Sequence, residues 1–337
     1  MILIFTSEND LSTIEVAKKL KYYNKEFYII NPEEKTFVFE YIDNSGIYFF
    51  HKKLNKTINF LNANSCWWRR TGLGINNFID VNDKSKMFYS DNIDFNELAY
   101  GKKSIINSEL ISLKEYIFKK IFFNSKINLG SPMLFGLNRL EIIDLASEIG
   151  LNTPYYEVIG NTKRINMSNK LKESFVSKAI DNGIYHIING VSYYSYTELQ
   201  NKSNYINKNI NLFPSLVMNL IDKKFEIRTF FIEDNFYSMA IFSQSNNQTV
   251  VDYRKYSTIK PNRNEPFKLP FEIEIKLKTL FKKIGLNTGS IDLIVDKNDD
   301  YIFLEINPIG QYGMTSEPCN YNLDDVIAKY LIYGTVS

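Results

Sequence analysis

The side chains best suited to chemistry lie in Gly289–Gly313, which reads GSIDLIVDKNDDYIFLEINPIGQYG. Two short apolar strands flank Lys297–Asp300, a polar turn of the hairpin kind. If Asp296 pairs with Tyr301, the register sets Asp292 directly opposite Glu305. Alternation then puts Asp292, Glu305 and Asn307 on one face with Ile294, Tyr301 and Phe303. Ile291, Leu293, Val295, Ile302, Leu304 and Ile306 fall on the other, an aliphatic surface for a core. Carboxylates opposed across a strand pair repel each other. A divalent cation between them removes that penalty. Two carboxylates and an amide form an all-oxygen set, which suits Mg²⁺; that ion completes its shell with water and nucleotide phosphate. The plain alternative is a surface hairpin with solvated acids. The aliphatic reverse face and the Asn307–Pro308 exit weigh against it.

Three further cations stand in strands. Lys178 interrupts the apolar run FVSKAI, where an ammonium must reach water or an anion. It suits a nucleotide phosphate, or else guards an edge strand. Arg228 follows Glu226 in EIR, and Arg254 follows Asp252 in DYR. Each pair reads as a local ion pair or as part of a larger charge cluster. The strands at Lys224–Ile232, Phe236–Gln244 and Val250–Tyr256 could align both arginines beside Asp292 and Glu305. Guanidinium forks and a metal on transferring phosphate are what phosphoryl transfer requires. Arg69 and Arg70 end the strand candidate Ser65–Arg70, and such an end opens onto an anion or an edge. Trp67 and Trp68 beside them fit a core.

Composition narrows the field. The chain has 337 residues, 44% hydrophobic and 23% charged, which describes a folded protein of two or three packed units. A net charge of +2 gives no ground for a nucleic-acid or membrane partner. The two cysteines, Cys66 and Cys319, are too few for a disulfide framework, and a cytoplasmic, reducing setting is expected. No signal-peptide pattern or membrane-length apolar run is present in the sequence. With only His51 and His186, a His-based triad or a multi-His metal site is close to excluded, and catalysis is expected to run on carboxylates, Lys, Arg and bound ions.

The elements that must position these groups follow from periodicity and punctuation. Met1–Thr6, a helix begun by the capping-box spacing Ser12-x-x-Glu15 and running to Tyr22, and Phe27–Ile30 form a βαβ unit. Phe37–Ile42 and Ile47–His51 form a hairpin around Asn44-Ser45-Gly46. Helices are expected over Asp94–Gly101 and Ser108–Asn124, then a linker at Ile127–Pro132. Leu137–Gly150 is an amphipathic helix stopped by Gly150. Asn189-Gly190 marks a hairpin turn within His186–Tyr196. Strand Leu212–Leu220, extended Pro261–Pro270, helix Phe271–Lys283 and helix Asp324–Tyr333 complete the chain. Domain boundaries are expected at 1–126, 127–214 and 215–337.

The order Lys178, Glu226-x-Arg228, Asp252-x-Arg254, then Asp292 and Glu305-x-Asn307 resembles the ATP-grasp ligase superfamily. The helix opening Asn138-Arg139-Leu140 and closing on Gly150-Leu151 with Pro154 is similar to a family helix, with Arg139 in place of the usual Lys. Trp67-Trp68-Arg69-Arg70 and the tail EINPIGQYG resemble, more narrowly, the graspetide (microviridin-type) peptide maturases, most of all their grasp-with-spasm branch. The resemblance implies an ATP-grasp fold of α/β and α+β parts: an N-terminal α/β (pre-ATP-grasp) domain, a central lid-bearing domain and a C-terminal domain. It implies ATP and two Mg²⁺ ions, with Asp292, Glu305 and Asn307 as metal ligands. Arg139 and Lys178 would hold phosphates, Gly190 would sit in the phosphate-covering loop, and Met218, Asn219 and Leu220 would form the adenine hinge. Arg228 and Arg254 would bind the acyl phosphate or the incoming carboxylate. The implied partner is a ribosomally made precursor peptide, leader plus core, and the implied assembly is a homodimer, with no nucleic acid and no membrane. Its Asp or Glu side chains would be activated as acyl phosphates and closed into ester or amide rings. Two rivals stay open: a ligase that adds amino acids to a protein tail or small acid, and a peptide-binding protein that has kept the fold without turnover.

Overall fold

Alternating short strands and helices sort the chain into two units: Met1–Phe135 with Asn322–Ser337, and Gly136–Tyr321. The computed structural model describes residues 1–33, 35–78, 95–181, 185–188, 191–194, 197–244 and 262–336. Among them no helix is long and apolar enough to cross a membrane.

In the first unit, β1 (Ile2–Phe5), α1 (Leu11–Tyr22) and β2 (Phe27–Ile30) form the expected βαβ unit. β3 (Phe37–Ile42), β4 (Ile47–His51) and β5 (Lys56–Asn59) make an antiparallel sheet. β6 (Ser65–Trp68) runs parallel to β1, and its two tryptophans are buried, with Trp68 stacked on Phe5 at 4.4 Å between ring centroids. The cap of α1 is Asp10, which accepts from Thr13 N at 3.1 Å, so the helix starts two residues before the position that a Ser12 cap would give. Arg69 Nε and Arg70 Nε reach the same carboxylate at 3.2 and 3.0 Å. The anion that the two arginines seek is thus supplied by the chain itself. Burial pushes the Asp10 carboxyl up, but Arg69, Arg70 and the cap hydrogen bond together hold it below its ordinary range.

Two expectations give way here. α2 (Phe95–Asn124) is one helix, because the intervening Lys102–Asn107 carries no breaker and Gly101 alone costs only ~1 kcal/mol. The linker reading of Ile127–Pro132 is replaced by β7 (Ile127–Leu129), which pairs with β6 and completes the parallel sheet β2-β1-β6-β7. The unit runs through Phe135, and α7 (Leu323–Tyr333) belongs to it: Tyr23 Oη donates to Asp325 at 2.7 Å.

Cys66 lies in this core, fully buried, beside Ser125 Oγ at 3.1 Å. Burial pushes its thiol up to about 12 against a smaller lowering by Ser125. At pH 8 it therefore stays protonated, and only the thiolate reacts. Intact-mass analysis after iodoacetamide treatment should show no label on Cys66 in the native protein and full labelling in denaturant; native labelling would contradict this packing.

The second unit opens with α3 (Arg139–Glu148), capped by Asn138 Oδ1 accepting from Leu140 N at 3.0 Å, and ends it with Gly150 at φ +86°. β8 (Tyr156–Asn161), α4 (Lys163–Met167), β9 (Ser174–Lys178), the paired β10 (Tyr185–Ile188) and β11 (Val191–Tyr194), β12 (Glu198–Asn201) and β13 (Asn211–Asn219) follow. Four of these strands form an antiparallel sheet in the order β12-β9-β13-β8. Pro214 falls within the register shift of β13 between Asn211 and Ser215, where its missing N–H is tolerated.

A second antiparallel sheet, β16-β15-β14-β17-β18, is built from β14 (Lys223–Ile232), β15 (Asn235–Phe242), β16 (Arg263–Phe267), β17 (Thr288–Asp296) and β18 (Tyr301–Asn307). The extended Pro261–Pro270 reading thus becomes an edge strand carrying Pro266. α5 (Phe271–Ile284) buries Leu277, Leu280 and Phe281, and the Phe281 ring meets that of Phe231 at 4.1 Å. α6 (Gly313–Cys319), which periodicity did not reveal, contributes Cys319 to a cluster with Met239 and Ile241.

Candidate functional site

Asp292 does face Glu305 across β17 and β18, and Asn307 pairs with Ser290 one step along the same face. The hairpin end differs from the expected register. Asp296 accepts from Asn298 N and Asp300 N at 2.8 and 2.9 Å, so the turn closes early and Tyr301 pairs with Val295 rather than Asp296. A bulge at Leu304, between the pairs Leu293–Phe303 and Asp292–Glu305, restores the register. Beyond it every side chain changes face. Phe303, fully buried, and Tyr301 lie with Leu293 and Val295. Ile302 lies opposite Ile294, and Leu304 lines a cleft with Asp292 and Glu305. The reverse face is therefore not the uniform aliphatic surface expected.

A second bulge acts at the start of β14, where the pairing shifts between Lys223 and Phe225. It brings Lys223 and Glu226, three residues apart, onto the face that carries Arg228. Lys223 Nζ donates to Glu226 Oε1 at 2.6 Å, and Ser243 Oγ donates to Glu226 Oε2 at 2.9 Å. Burial pushes the Glu226 carboxyl up, and Lys223 opposes that shift. Lys223 lines the cleft, and strand periodicity hides it: without the bulge it would point away.

The cations converge on the carboxylates. Arg228, directly opposite Asp292, donates from Nη1 to both its oxygens at 2.9 Å, so the local pairing with Glu226 gives way to a cross-strand one. Lys178 Nζ meets Glu305 Oε2 at 2.5 Å. β9 lies inside its sheet between β12 and β13, so Lys178 is no edge guard. Arg139, at the first position of α3, donates to the same Oε2 from Nε and Nη2 at 3.2 and 3.0 Å. Its Nη1 is held by the carbonyls of Ala179, Ile180 and Asp181. Only a guanidinium can serve both directions at once, which gives the Arg at this helix start a geometric reason.

Above these charges the cleft is walled by Pro154, Val176, Met218, Leu220, Ile221, Ile294 and Leu304. Met218–Leu220 thus lie where a flat apolar group would rest. Asn219 is buried, and its side chain is spent on backbone, accepting from Lys172 N at 2.7 Å and donating to Lys170 O at 3.1 Å. It pins the loop before β9, while its own N–H donates to Tyr155 O at 2.9 Å. Gly190, Asp252 and Arg254 lie outside the described residues, as does the strand expected at Val250–Tyr256.

Among the described residues, no cluster of three or more His, Cys, Asp or Glu has the arrangement of a metal site. The set here is two carboxylates and an amide. Asn307 Oδ1 accepts from Ile309 N at 3.0 Å, which orients it and leaves a second lone pair. An all-oxygen donor set on one sheet face fits a small hard cation.

No protein-family model matches the sequence, and no curated protein matches it. The fold has counterparts among solved structures. A RiPP-associated ATP-grasp ligase of Chryseobacterium gregarium, in complex with ADP and a leader and core peptide, superposes with a TM-score of 0.75, covering 99% of this chain and 97% of its own at 22% identity. The macrocyclase MdnC of Microcystis aeruginosa MRC, bound with precursor peptide MdnA, gives 0.73 over 98% and 99% at 20% identity. The ATP-grasp ligase PsnB, complexed with a phosphomimetic variant of a minimal precursor, Mg and ADP, gives 0.69 over 98% and 97% at 14%. This likeness spans the whole chain, and the chain has the ATP-grasp fold.

Proposed function

We propose that this chain is an ATP-dependent peptide maturase that closes side-chain rings in a ribosomally made precursor. One observation carries the reading. Lys178, Arg139 and Arg228 pair with the opposed carboxylates Glu305 and Asp292, and these carboxylates and Lys178 line one cleft with Met218, Asn219, Leu220 and apolar side chains. The solved structures of the same fold hold the ligand classes this reading assigns: ADP and a leader and core peptide in the first, a precursor peptide in the second, and a minimal precursor variant, Mg and ADP in the third.

In this reading the apolar walls take the adenine, and Lys178 and Arg139 swing from Glu305 to the phosphates. Mg²⁺, as two ions held by Asp292, Glu305 and Asn307, would supply charge neutralisation on the phosphates. Arg228 and Arg254 orient the incoming Asp or Glu carboxylate of the peptide. A carboxylate oxygen attacks the γ-phosphorus and the bond to ADP breaks. A Ser or Thr hydroxyl, or a Lys amine, of the same peptide then attacks the acyl carbon. Phosphate leaves with the bonding pair, and the nucleophile's proton passes to solvent. No histidine is needed. The peptide brings leader and core, the protein works as a homodimer, and the setting is cytoplasmic.

The test is the intact mass of a candidate precursor, rich in Thr or Ser and Asp or Glu, after incubation with the protein, ATP and Mg²⁺. Loss of one water per ring, dependent on ATP and matched by ADP, is expected. ATP-dependent mass gain on another acceptor would replace this reading with the tailing ligase. ATP and peptide binding without ADP would replace it with a binding protein.

A further inference from the structure

We infer that Lys178 and Arg139 form an electrostatic latch on Glu305, which weakens the chain's own hold on a divalent cation until an anion draws them off. The inference rests on the nucleotide-site reading above and adds a property to it. Three donors from two elements, the Lys178 ammonium and the Nε and Nη2 of Arg139, end on one oxygen, Glu305 Oε2, at 2.5, 3.2 and 3.0 Å. The pairs are largely withdrawn from solvent: the side chains of Lys178, Arg139 and Glu305 are 16, 14 and 20% exposed. Ion pairs this far from water are weakly screened. Asp292, the opposed carboxylate, is likewise engaged through both oxygens by Arg228 Nη1.

The repulsion between Asp292 and Glu305, which would otherwise favour a cation, is therefore already met by the chain's own cations. A divalent ion arriving alone must displace or sit beside positive charge. Polyphosphate offers those cations a better partner, since a phosphate bears more charge and more acceptors than one carboxylate oxygen. Arg139 is anchored for such a swing, because its Nη1 stays on the carbonyls of residues 179–181 while the other nitrogens exchange partners. The consequence is directional: removing either cation should tighten the binding of a bare divalent ion. A mere structural role for Lys178 and Arg139 predicts the reverse, since a loosened site binds metal less well.

The experiment titrates Mn²⁺ into nucleotide-free protein and follows unbound Mn²⁺ by its EPR signal. The variants are Lys178→Met, Lys178→Gln, Arg139→Gln and, as a remote charge control, Lys224→Met, whose exposed ammonium pairs with Asp299. The wild type should bind weakly. Lys178→Met, Lys178→Gln and Arg139→Gln should each bind about tenfold more tightly or better, the scale on which one neighbouring charge shifts an ionic equilibrium. Lys224→Met should match the wild type. Circular dichroism identifies any variant that fails to fold, and the three site variants make the result independent of one. Unchanged or weaker Mn²⁺ binding in the folded site variants overturns the latch, as does equal tightening in Lys224→Met. Calorimetry of ADP with Mg²⁺ on the wild type separates the two claims: binding there with no tightening in the variants removes the latch alone, and its absence removes the nucleotide site as well.

Discussion

Glu305→Gln should abolish ADP formation while leaving a folded protein. The change removes one negative charge and keeps the side-chain volume. It acts at the point where two elements of the second unit converge, because Arg139 of α3 and Lys178 of β9 both end on Glu305 Oε2. In catalysis the loss is that of a carboxylate ligand and of the charge that places both cations, and single groups of this kind are worth about 10²–10³-fold in rate. Two such roles on one residue put the expected loss beyond ~10³-fold. For stability the substitution leaves two partly buried cations short of a counter-charge. With these side chains 14–20% exposed, the cost should be below the ~3–5 kcal/mol of a fully buried broken pair, on the order of 1–2 kcal/mol. That corresponds to a fall in Tm of roughly 2–8 °C. ADP release measured beside a thermal melt checks both. Turnover within tenfold of wild type would remove Glu305 from the metal assignment; an unfolded variant would give it a mainly structural role.

What the sequence could and could not disclose divides along a physical line. Strand alternation gives the opposition of Asp292 and Glu305, and Gly150 marks the end of α3, whose start lies two residues beyond the expected Leu137. Local order also carried the set Lys178, Glu226, Arg228, Asp292, Glu305 and Asn307, because each residue stands in a strand whose apolar neighbours make it conspicuous. Bulges were not legible. Leu304 and Lys224 each add one residue, and each reverses the faces on its side of the shift. That is why alternation alone puts Phe303 on the site face and hides Lys223. Long-range partners were hidden as well. Nothing near Arg139 announces Glu305, 166 residues away, and nothing near Arg70 announces Asp10. The edge strands β7 and β16 are short or carry proline, so they owe their strand state to the sheet they complete rather than to their own residues.

Arg228→Met should be the most destabilising single change at the site, and Asp292→Asn should partly rescue it. Arg228 lies in the middle of β14, directly opposite Asp292 on β17, with 7% of its side chain exposed against 16% for Asp292. Its Nη1 serves both carboxylate oxygens. Methionine fills much of the same volume, so packing is largely kept and the effect is electrostatic. It leaves Asp292 without its cross-strand guanidinium, close to a second buried carboxylate: the charge of Asp292 already contributes to pushing the Glu226 carboxyl up. Removing one partner of a buried pair costs about 3–5 kcal/mol, most of it the penalty on the charge left behind. Neutralising that charge should therefore recover about half, and the double variant should be more stable than Arg228→Met alone by roughly 1.5–2.5 kcal/mol. Arg228→Lys should keep the charge and most of the stability yet lose the fork, so turnover should fall by about 10²-fold while ADP affinity stays near wild type. Urea melts of the three variants close the cycle. Additive losses in the double variant would show that Arg228 and Asp292 act independently, and a fully active Arg228→Lys would remove the guanidinium from the handling of the incoming carboxylate.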